Sequence, residues 1–536
     1  MNRRDFVRAG AAAGGSLAAL SRRTARRAPP RPDDFELAEL TIAELQQGMQ
    51  ARRYTARALC EQYLSRIEAI NLRGPAIHAV IDTNPDALQI ADALDRERKK
   101  RMRGPLHGIP VLVKDNIATT DRMATTAGSL ALAGAKYPRD AFVVERLRAA
   151  GAVLLGKTNM SEWANFRSTH SSSGWSARGG QGRNPYALDR SPCGSSSGSG
   201  SAVAASCCAV AVGTETDGSI VCPSAAHSLV GLKPTLGLVS RAGIIPIAHS
   251  QDTAGPMART VRDAAILLGA LAGADPRDPA TGTAPKDRPT DYTRFLDPNG
   301  FQGAKIGVAR TKFFGYHAQT DRLAEDAIEA MRRLGAVIVD PADVAHAGEY
   351  DDSELEVLLY EFKSDLNRFL ADLGPDAPVH TLAEVIAFNE QHAAQELAYF
   401  DQDLFLRAQD KGPLTDDAYR AALAKDAQLA RDEGLDATFA KFTLDAIVAP
   451  SGNPPWPIDL INGDHFLGSS TTPAAVAGYP SVTVPVGDAF GLPVGLSFIG
   501  KPYTEPLLIK FAYALEQATK ARRPPRFLAT ADLTGS

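Results

Sequence analysis

Apolar and polar positions along the chain predict helices that alternate with buried strands. After Thr55, apolar side chains recur at spacings of three and four, as on the buried face of a helix: Leu59, Tyr63, Ile67 and Ile70. Residues 109–113 are apolar throughout and predict a buried strand. The same pair of elements follows at 142–155, where Gly151 separates a predicted helix from a predicted strand. Strands of this kind, alternating with helices, indicate a sheet that is covered on both faces.

The second half of the chain repeats this alternation around one long helical segment. A stretch rich in proline and aspartate at 273–300 interrupts the pattern, and a helix and a strand are predicted again at 320–339. Residues 345–440 have a mostly helical and polar pattern, and short apolar strands return between 446 and 499. We therefore predict an α/β fold, a single large α/β/α domain around a mixed β-sheet at 31–530, with helical additions at its N-terminus and at about 345–440.

The first thirty residues differ in composition from the rest. Adjacent Arg3 and Arg4, with Phe6 after them, precede a small apolar run at 9–20. A basic patch before an apolar run too short to span a bilayer predicts an export signal at 1–30, here of the twin-arginine type, and a periplasmic or secreted protein. A disordered basic tail on a cytoplasmic protein is the alternative, because a second arginine cluster is unusual near a cleavage site: Arg22, Arg23, Arg26 and Arg27.

Composition limits the possible partners without indicating an activity. Of the 536 residues, 44% are hydrophobic and 22% are charged, as in ordinary soluble proteins, and no run after the N-terminal segment is long and apolar enough to predict a membrane span. The formal net charge of −4 gives no reason to expect a nucleic-acid partner. The five cysteines follow neither a metal-ligand nor a disulfide-framework spacing, so we expect structural thiols: Cys60, Cys193, Cys207, Cys208 and Cys222.

The most unusual segment, residues 191–223, joins a Gly/Ser run to an apolar helix candidate. A flexible linker is the simplest interpretation of such a run, but this one leads directly into the Ala/Val-rich residues 202–205. A phosphate-binding loop would require a Lys-Ser or Lys-Thr ending, which is missing. A Ser-His-Asp triad has no obvious histidine, since the ten are scattered and the nearest two, His107 and His227, are better explained as structural.

Lys114 is the chemically informative residue of the first half. It follows the predicted strand at 109–113 directly, which would carry its ammonium group into the interior. Burial disfavours the charged form and lowers the pKa, so that a lysine becomes a general base near neutral pH. A strand-end lysine that reaches solvent or pairs with Asp115 is the structural alternative. The serine-rich segment favours the catalytic interpretation, because Ser-Lys combinations can replace Ser-His-Asp.

These segments together resemble the amidase signature family. The resemblance runs from about residue 35 to 525 and rests on specific motifs at 104–116, 151–162, 193–199, 213–223, 230–235, 477–485 and 491–496. It implies an amidohydrolase of the amidase signature fold that forms an acyl-enzyme and uses no metal or other cofactor.

The family's catalytic groups fall on three residues of this chain. The resemblance implies that Lys114 is the base, Ser195 the proton relay, held in a cis peptide after Gly194, and Ser219 the acyl-forming nucleophile. It also implies an oxyanion hole of backbone N–H groups at Thr216, Asp217, Gly218 and Ser219. Three residues stand where the wider family has glycine: Cys193, Ser197 and Asp217.

Within the family, the segments 161–167, 174–180 and 214–222 are most similar to bacterial peptide amidases. Those enzymes remove the C-terminal amide of peptides, so we predict a peptide or small-molecule amide as substrate and no obligate protein partner. The predicted substrate-binding residues lie on the segment from 163 to 180: Trp163, Phe166, Ser171 and Trp175. A place in the hydrophobic core is the alternative for these aromatic side chains.

The sequence leaves three other functions open. The first is a general aryl or fatty-acid amidase, or an esterase, of the same family. The second is a glutamine-amidotransferase A-type subunit that needs partners, which an export signal argues against. The third is a binding protein without activity, which the presence of all three catalytic positions argues against.

Overall fold

The computed structural model describes residues 35–534. Eleven of its strands form one sheet, and two short strands form a separate ribbon. The strands are β1 (Val80–Thr83), β2 (Pro110–Lys114), β3 (Val153–Thr158), β4 (Trp175–Ser176), β5 (Gly180–Gln181), β6 (Val210–Glu215), β7 (Val230–Lys233), β8 (Thr253–Ala258), β9 (Lys305–Val308), β10 (Val337–Val339), β11 (Ala446–Pro450), β12 (Ser481–Ala489) and β13 (Leu492–Ile499).

The large sheet is mixed, with the order β1-β3-β2-β6-β8-β7-β12-β13-β11-β9-β10. Neighbours are parallel from β3 through β2 to β6 and from β11 through β9 to β10, and antiparallel elsewhere. Every residue of β2, β3 and β6 is buried, which explains why these strands begin with continuous apolar runs rather than alternating, although each ends in polar residues. The predicted α/β fold with a mixed sheet is confirmed.

Sixteen α-helices accompany the sheet within the described residues. They are α1 (Ile42–Gln50), α2 (Ala56–Ile67), α3 (Ala87–Arg98), α4 (Phe142–Ala149), α5 (Ser197–Ala204), α6 (Val221–Ala226), α7 (Val261–Leu271), α8 (Ala318–Arg333), α9 (Asp351–Ala371), α10 (Leu382–Gln391), α11 (Ala393–Glu396), α12 (Asp403–Gln409), α13 (Asp417–Asp426), α14 (Ala437–Phe442), α15 (Thr472–Val476) and α16 (Glu505–Thr519).

Local sequence signals set the starts of the first two helices. The Thr41 side chain accepts a hydrogen bond from Glu44 N, and the Glu44 carboxylate accepts one from Thr41 N, so that α1 begins with a complete capping box. The Thr55 side chain caps α2 by accepting a hydrogen bond from Ala58 N. The helical pattern at 345–440 corresponds to α9 through α14.

The described residues from Glu36 onward form one compact unit. No helix between residues 35 and 534 is long and apolar enough to cross a membrane. The predicted export signal at 1–30 lies outside the described residues and stays a prediction.

The cysteines differ from the sequence-based expectation. Cys193 and Cys222 form a disulfide, so the expectation of thiols throughout is wrong for this pair. The fold brings together two cysteines that lie 29 positions apart, and no local spacing signals that pairing. Cys60, Cys207 and Cys208 are buried thiols, and burial raises the pKa of each; for Cys60 and Cys207 it reaches about 12.

Candidate active site

Lys114 ends β2 near the middle of the parallel part of the sheet and is completely buried. Its Nζ donates hydrogen bonds to Ser195 Oγ at 2.7 Å, to Thr214 Oγ1 at 2.9 Å and to the Thr214 carbonyl at 3.2 Å. Asp115 instead accepts from the Thr126 hydroxyl and lies 3.4 Å from the Arg178 guanidinium. The alternative of a lysine that reaches solvent or pairs with Asp115 is therefore wrong.

The interior position sets the protonation of Lys114. Burial lowers its pKa to about 7, against the opposing attraction of the Asp252 and Glu215 carboxylates. A large fraction of the side chain is therefore neutral near pH 7, and a neutral amine accepts protons. Of its two hydroxyl neighbours, Ser195 Oγ at 2.7 Å is nearer than Thr214 Oγ1 at 2.9 Å.

Two further lysines are buried in the sheet, and the sequence did not single them out. Burial lowers the pKa of Lys157 on β3 and of Lys233 on β7 to about 8. Lys157 Nζ donates to Thr125 Oγ1 at 2.7 Å, and Lys233 Nζ donates to the Tyr479 carbonyl at 2.7 Å. A lowered pKa alone therefore does not identify the base. Of these three lysines, Lys114 is distinguished by the hydrogen bond from its Nζ to a serine hydroxyl.

Ser195 lies on an irregular segment, residues 191–196, just before α5, and its side chain is fully buried. Ser161 N donates to the Ser195 carbonyl at 3.2 Å, and the peptide bond from Gly194 to Ser195 is cis, as the family resemblance implies. A side chain at Gly194 would meet Ser161 Oγ at 2.2 Å, so only glycine fits there. Cys193 adopts φ 52°, the left-handed region that favours the glycine of the wider family.

Ser219 lies on the turn that links β6 to α6. Ser196 N donates to the Ser219 carbonyl at 3.2 Å, which places the Ser219 segment beside that of Ser195. The Glu215 carboxylate accepts from Ile220 N at 2.7 Å and from Val221 N at 2.9 Å, so these two N–H groups are already engaged. The predicted oxyanion-hole residues are those of the preceding turn: Thr216, Asp217, Gly218 and Ser219.

The side chains of this turn are held from outside it. Asp217 Oδ2 accepts from Thr472 Oγ1 at 2.6 Å, and Thr216 Oγ1 donates to Asp252 Oδ1 at 2.6 Å. Gly218 has φ 75°, which glycine adopts without penalty. Asp217 therefore replaces a glycine without needing a left-handed backbone, since the strained position of the turn is Gly218.

Asp252 is a site residue that the sequence analysis missed. Besides Thr216, it accepts from Ile247 N at 2.8 Å and from Ala248 N at 3.0 Å, and burial raises its pKa to about 6. Three acidic side chains of α9 hold the residues before it: Glu354 accepts from Gln251 Nε2 (2.8 Å), Glu361 from Ser250 N (2.9 Å) and Asp365 from His249 N (3.0 Å). Such pairings are separated by a hundred residues or more, so no local pattern reveals them.

Three of the side chains that join α9 to the residues before Asp252 have the composition of a cation site. Among residues 35–534, His249, Glu361 and Asp365 are the His and acidic side chains close enough to share an ion. Their atoms are already engaged, since His249 Nδ1 lies 2.8 Å from Asp365 Oδ2 and Tyr419 donates to Glu361 at 2.8 Å. The group therefore fastens α9 to the Asp252 segment.

A cleft of about 480 Å³ leads to the two serine segments. Gly194 and Gly218, the neighbours of Ser195 and Ser219, lie in its lining. Most other lining groups are polar, and Trp456 and Phe466 add aromatic surface. Of the predicted substrate-binding residues, Ser171 lines this cleft.

The three predicted substrate-binding aromatics lie in the core instead. Trp163, Phe166 and Trp175 are at most 6% exposed. They pack against the helical segment: Trp163 on Phe405 (5.6 Å between ring centroids), Phe166 on Phe362 (5.1 Å) and Trp175 on Phe400 (5.1 Å). This corrects the expectation of substrate contacts, because α9 to α12 cover the side of the segment on which these rings lie.

A buried ion pair supports the same segment. Arg167 Nη1 lies 2.8 Å from Glu162 Oε1, both side chains are fully buried, and the guanidinium packs 4.3 Å from the Phe400 ring centroid. Burial raises the pKa of Glu162 well above its usual range even beside this cation. Glu396 of α11 approaches Arg167 at 3.7 Å, so the helical segment is joined to the residues that flank the cleft.

Comparison with known proteins finds relatives that match this chain over most of their length. The amidase family model matches residues 58–509. The native peptide amidase from Stenotrophomonas maltophilia is 54% identical, with a TM-score of 0.88, 92% of this chain and 99% of that chain covered. A probable amidase of Arabidopsis thaliana is 43% identical over 506 residues, covering 92% of this chain and 93% of the relative. The A-type subunit of a glutamyl-tRNA(Gln) amidotransferase from Chloroflexus aurantiacus is 38% identical over 497 residues, covering 90% and 98%.

Proposed function

Because this chain belongs to the amidase family and is an amide-hydrolysing enzyme, we propose that it removes the C-terminal amide of peptides and releases ammonia. Ser219 acts as nucleophile, Ser195 as proton relay and Lys114 as base. The observation that carries the proposal is the 2.7 Å hydrogen bond from Lys114 Nζ to Ser195 Oγ, in a segment joined to Ser219 by a backbone hydrogen bond.

The first half-reaction forms an ester on Ser219. Neutral Lys114 accepts the proton of Ser195 while Ser195 takes the proton of Ser219, and Ser219 Oγ attacks the carbonyl carbon of the amide. The C–N bond then breaks, and the proton held on Lys114 returns through Ser195 to the departing nitrogen, so that ammonia leaves. Water then adds to the ester carbonyl and gives up a proton along the same path through Ser195 to Lys114. The bond from the acyl group to Ser219 Oγ breaks, Ser219 recovers a proton, and the peptide acid is released.

The turn before α6 stabilises the charge that develops on the carbonyl oxygen. Backbone N–H groups from Thr216 to Ser219 are the donors of the proposed oxyanion hole, since Glu215 engages the next two. In other hydrolases, the loss of one such donor raises the barrier by roughly 3–4 kcal/mol. The bonds from Thr472 to Asp217 and from Thr216 to Asp252 fix the turn before substrate arrives, which lowers the reorganisation that the reaction requires.

The lining of the cleft supports a peptide as the acyl part of the substrate. Side-chain hydroxyl, amide and carboxyl groups surround the approach to Ser219, including Asn165, Ser171, Asn462 and Asp464. Such groups suit the repeating N–H and C=O groups of a peptide, whereas a long acyl chain requires an apolar tunnel. The 54% identity with a peptide amidase points to the same substrate class.

A panel of amides tests this substrate assignment. Ammonia release from dipeptide amides should exceed that from long-chain fatty amides and simple aryl amides by about tenfold or more in kcat/KM, a difference of roughly 1.4 kcal/mol. Internal peptide bonds and the side chains of free glutamine and asparagine should stay intact, which mass spectrometry of the products checks. Faster hydrolysis of the fatty or aryl amides by the same margin would contradict the peptide assignment and leave the Ser-Ser-Lys mechanism standing.

The relation to A-type amidotransferase subunits raises a second candidate. An enzyme of that kind would use glutamine and depend on partner subunits. The same panel separates the two functions, because the purified chain alone should hydrolyse peptide amides. Ammonia release from glutamine that appears only with added partner subunits would favour the amidotransferase.

A further inference from the structure

The disulfide of this protein connects the two segments that carry the proposed catalytic serines. Cys193 lies two residues before Ser195, and Cys222 lies three residues after Ser219. Their Cα atoms are 6.1 Å apart. Cys193 is only 4% exposed, whereas Cys222 is half-buried, and both lie in the lining of the cleft.

A second connection lies on the other side of Ser195. The hydrogen bond from Ser196 N to the Ser219 carbonyl runs to the same segment as the disulfide does. Ser195 is therefore bracketed in sequence by two links, one covalent at Cys193 and one hydrogen-bonded at Ser196. The segment that carries Ser219 is anchored in turn, because Cys222 N donates to the Gly218 carbonyl at 2.7 Å as α6 begins.

The other contacts of the segment before Ser195 run to different parts of the chain, since Ser191 N donates to the Trp456 carbonyl at 2.7 Å and Ser161 N donates to the Ser195 carbonyl at 3.2 Å. Residues 191–196 form no helix or strand, and Cys193 already adopts a left-handed backbone. Ser197 Oγ donates to the Cys193 carbonyl at 2.6 Å, a bond within the same segment that does not fix its distance from Ser219. The covalent link is the contact that joins the Cys193 side of the relay segment directly to the segment of the nucleophile.

We propose that Cys193 and Cys222 are positioning residues, whose disulfide holds Ser195 at the distance from Ser219 that proton relay requires. The proposal rests on the proposed roles of the two serines. Displacing a reacting group by about 1 Å can lower a rate by roughly 100-fold, so breaking the link should act on turnover. Trp456 lies in one buried cluster with Cys193, against which Cys222 packs, and Ser191 N donates to the Trp456 carbonyl at 2.7 Å, so the cleft wall keeps a second attachment when the disulfide opens.

Reduction of the purified protein provides the test. A water-soluble phosphine breaks the S–S bond, supplying two electrons while water supplies two protons, and is itself converted to the phosphine oxide. We expect kcat per intact active site to fall roughly 10- to 100-fold with a smaller change in KM, and to recover on reoxidation with oxidised glutathione. Titration with a serine-directed phosphonate counts the intact sites, and circular dichroism confirms that the chain stays folded.

Two variants complete the experiment. The double variant Cys193→Ser/Cys222→Ser should have the low kcat of the reduced protein and should not respond to the phosphine. The matched control Cys60→Ala, at a buried thiol of α2, should keep the parent kcat and the parent response to reduction.

The outcomes separate a positioning role from the alternatives. Unchanged kcat per active site in the reduced protein or in the double variant would overturn the proposal. Unfolding of the whole chain on reduction would assign the disulfide to global stability and overturn it as well. If the oxidised parent released no ammonia from any amide, the proposed function would fail, and the rate of phosphonate labelling at Ser219 would still report on the disulfide.

Discussion

The Ser219→Ala variant is expected to lose essentially all amide hydrolysis, because no other group on the described turn offers a nucleophilic oxygen at that position. Removal of the nucleophile in a serine protease lowers kcat by roughly 10⁶-fold, and we expect a loss of that order here. Labelling by a serine-directed phosphonate should vanish with it. Ammonia release and intact mass spectrometry after labelling measure the two effects.

A serine on the helix that follows the turn of Ser219 provides the control. Ser224 lies on α6, and its buried hydroxyl has no hydrogen-bond partner within residues 35–534. Ser224→Ala should therefore keep both turnover and labelling. Labelling that persists in Ser219→Ala and maps to another residue would remove Ser219 from its role.

Ser195→Ala is expected to keep more activity than Ser219→Ala. The relay passes a proton and forms no bond to the substrate, so water or Lys114 itself can replace it in part. A Ser195→Ala variant as inactive as Ser219→Ala, with an intact fold, would show that the relay hydroxyl does more than transfer a proton.

Protonation of Lys114 is expected to set the acid limb of kcat/KM. Its pKa is lowered to about 7 by burial, and the neutral amine is the active form. The rate should therefore be full above that pH and fall about tenfold per pH unit below it. Lys114→Ala should lose most of the rate together with this limb, and a pH–rate profile from pH 5 to 9 measures both.

The negative charges of Asp252 and Glu215 oppose the lowering of the Lys114 pKa by burial. Burial raises the pKa of Asp252 itself to about 6. The Asp252→Asn variant separates the two titrations. Because a nearby negative charge favours the lysine cation, its removal should move the acid limb to lower pH. An acid limb that disappears in Asp252→Asn, or survives in Lys114→Ala, would assign the titration to another group.

Much of the fold follows from patterns that are local in sequence. The strand that ends at Lys114 is apolar up to that residue because both faces of that part of the sheet are covered, and its sequence reveals this directly. Thr41 and Thr55 mark helix starts because a hydroxyl that accepts from a backbone N–H three residues later acts within one turn. The resemblance of the motifs to the amidase signature family pointed to Lys114, Ser195 and Ser219, and the structure brings their segments together.

The features that the sequence did not predict depend on contacts between distant segments. The Cys193–Cys222 disulfide and the link from Asp252 to Thr216 exist only because the sheet order brings separate loops together. The aromatic side chains at 163–175 had two interpretations, since an apolar ring suits a cleft as well as a core. The position of α9 to α12 decides between them, and a helical pattern does not contain that position.

The central claim is that hydrolysis proceeds through an acyl-enzyme on Ser219. The most direct test supplies hydroxylamine as a competing nucleophile during turnover of a peptide amide and of the ester with the same acyl part. A common acyl-enzyme predicts the same ratio of peptide hydroxamate to peptide acid from both substrates, and no hydroxamate with Ser219→Ala. Different ratios from the two substrates, or Ser219-dependent ammonia release without any hydroxamate, would contradict the account.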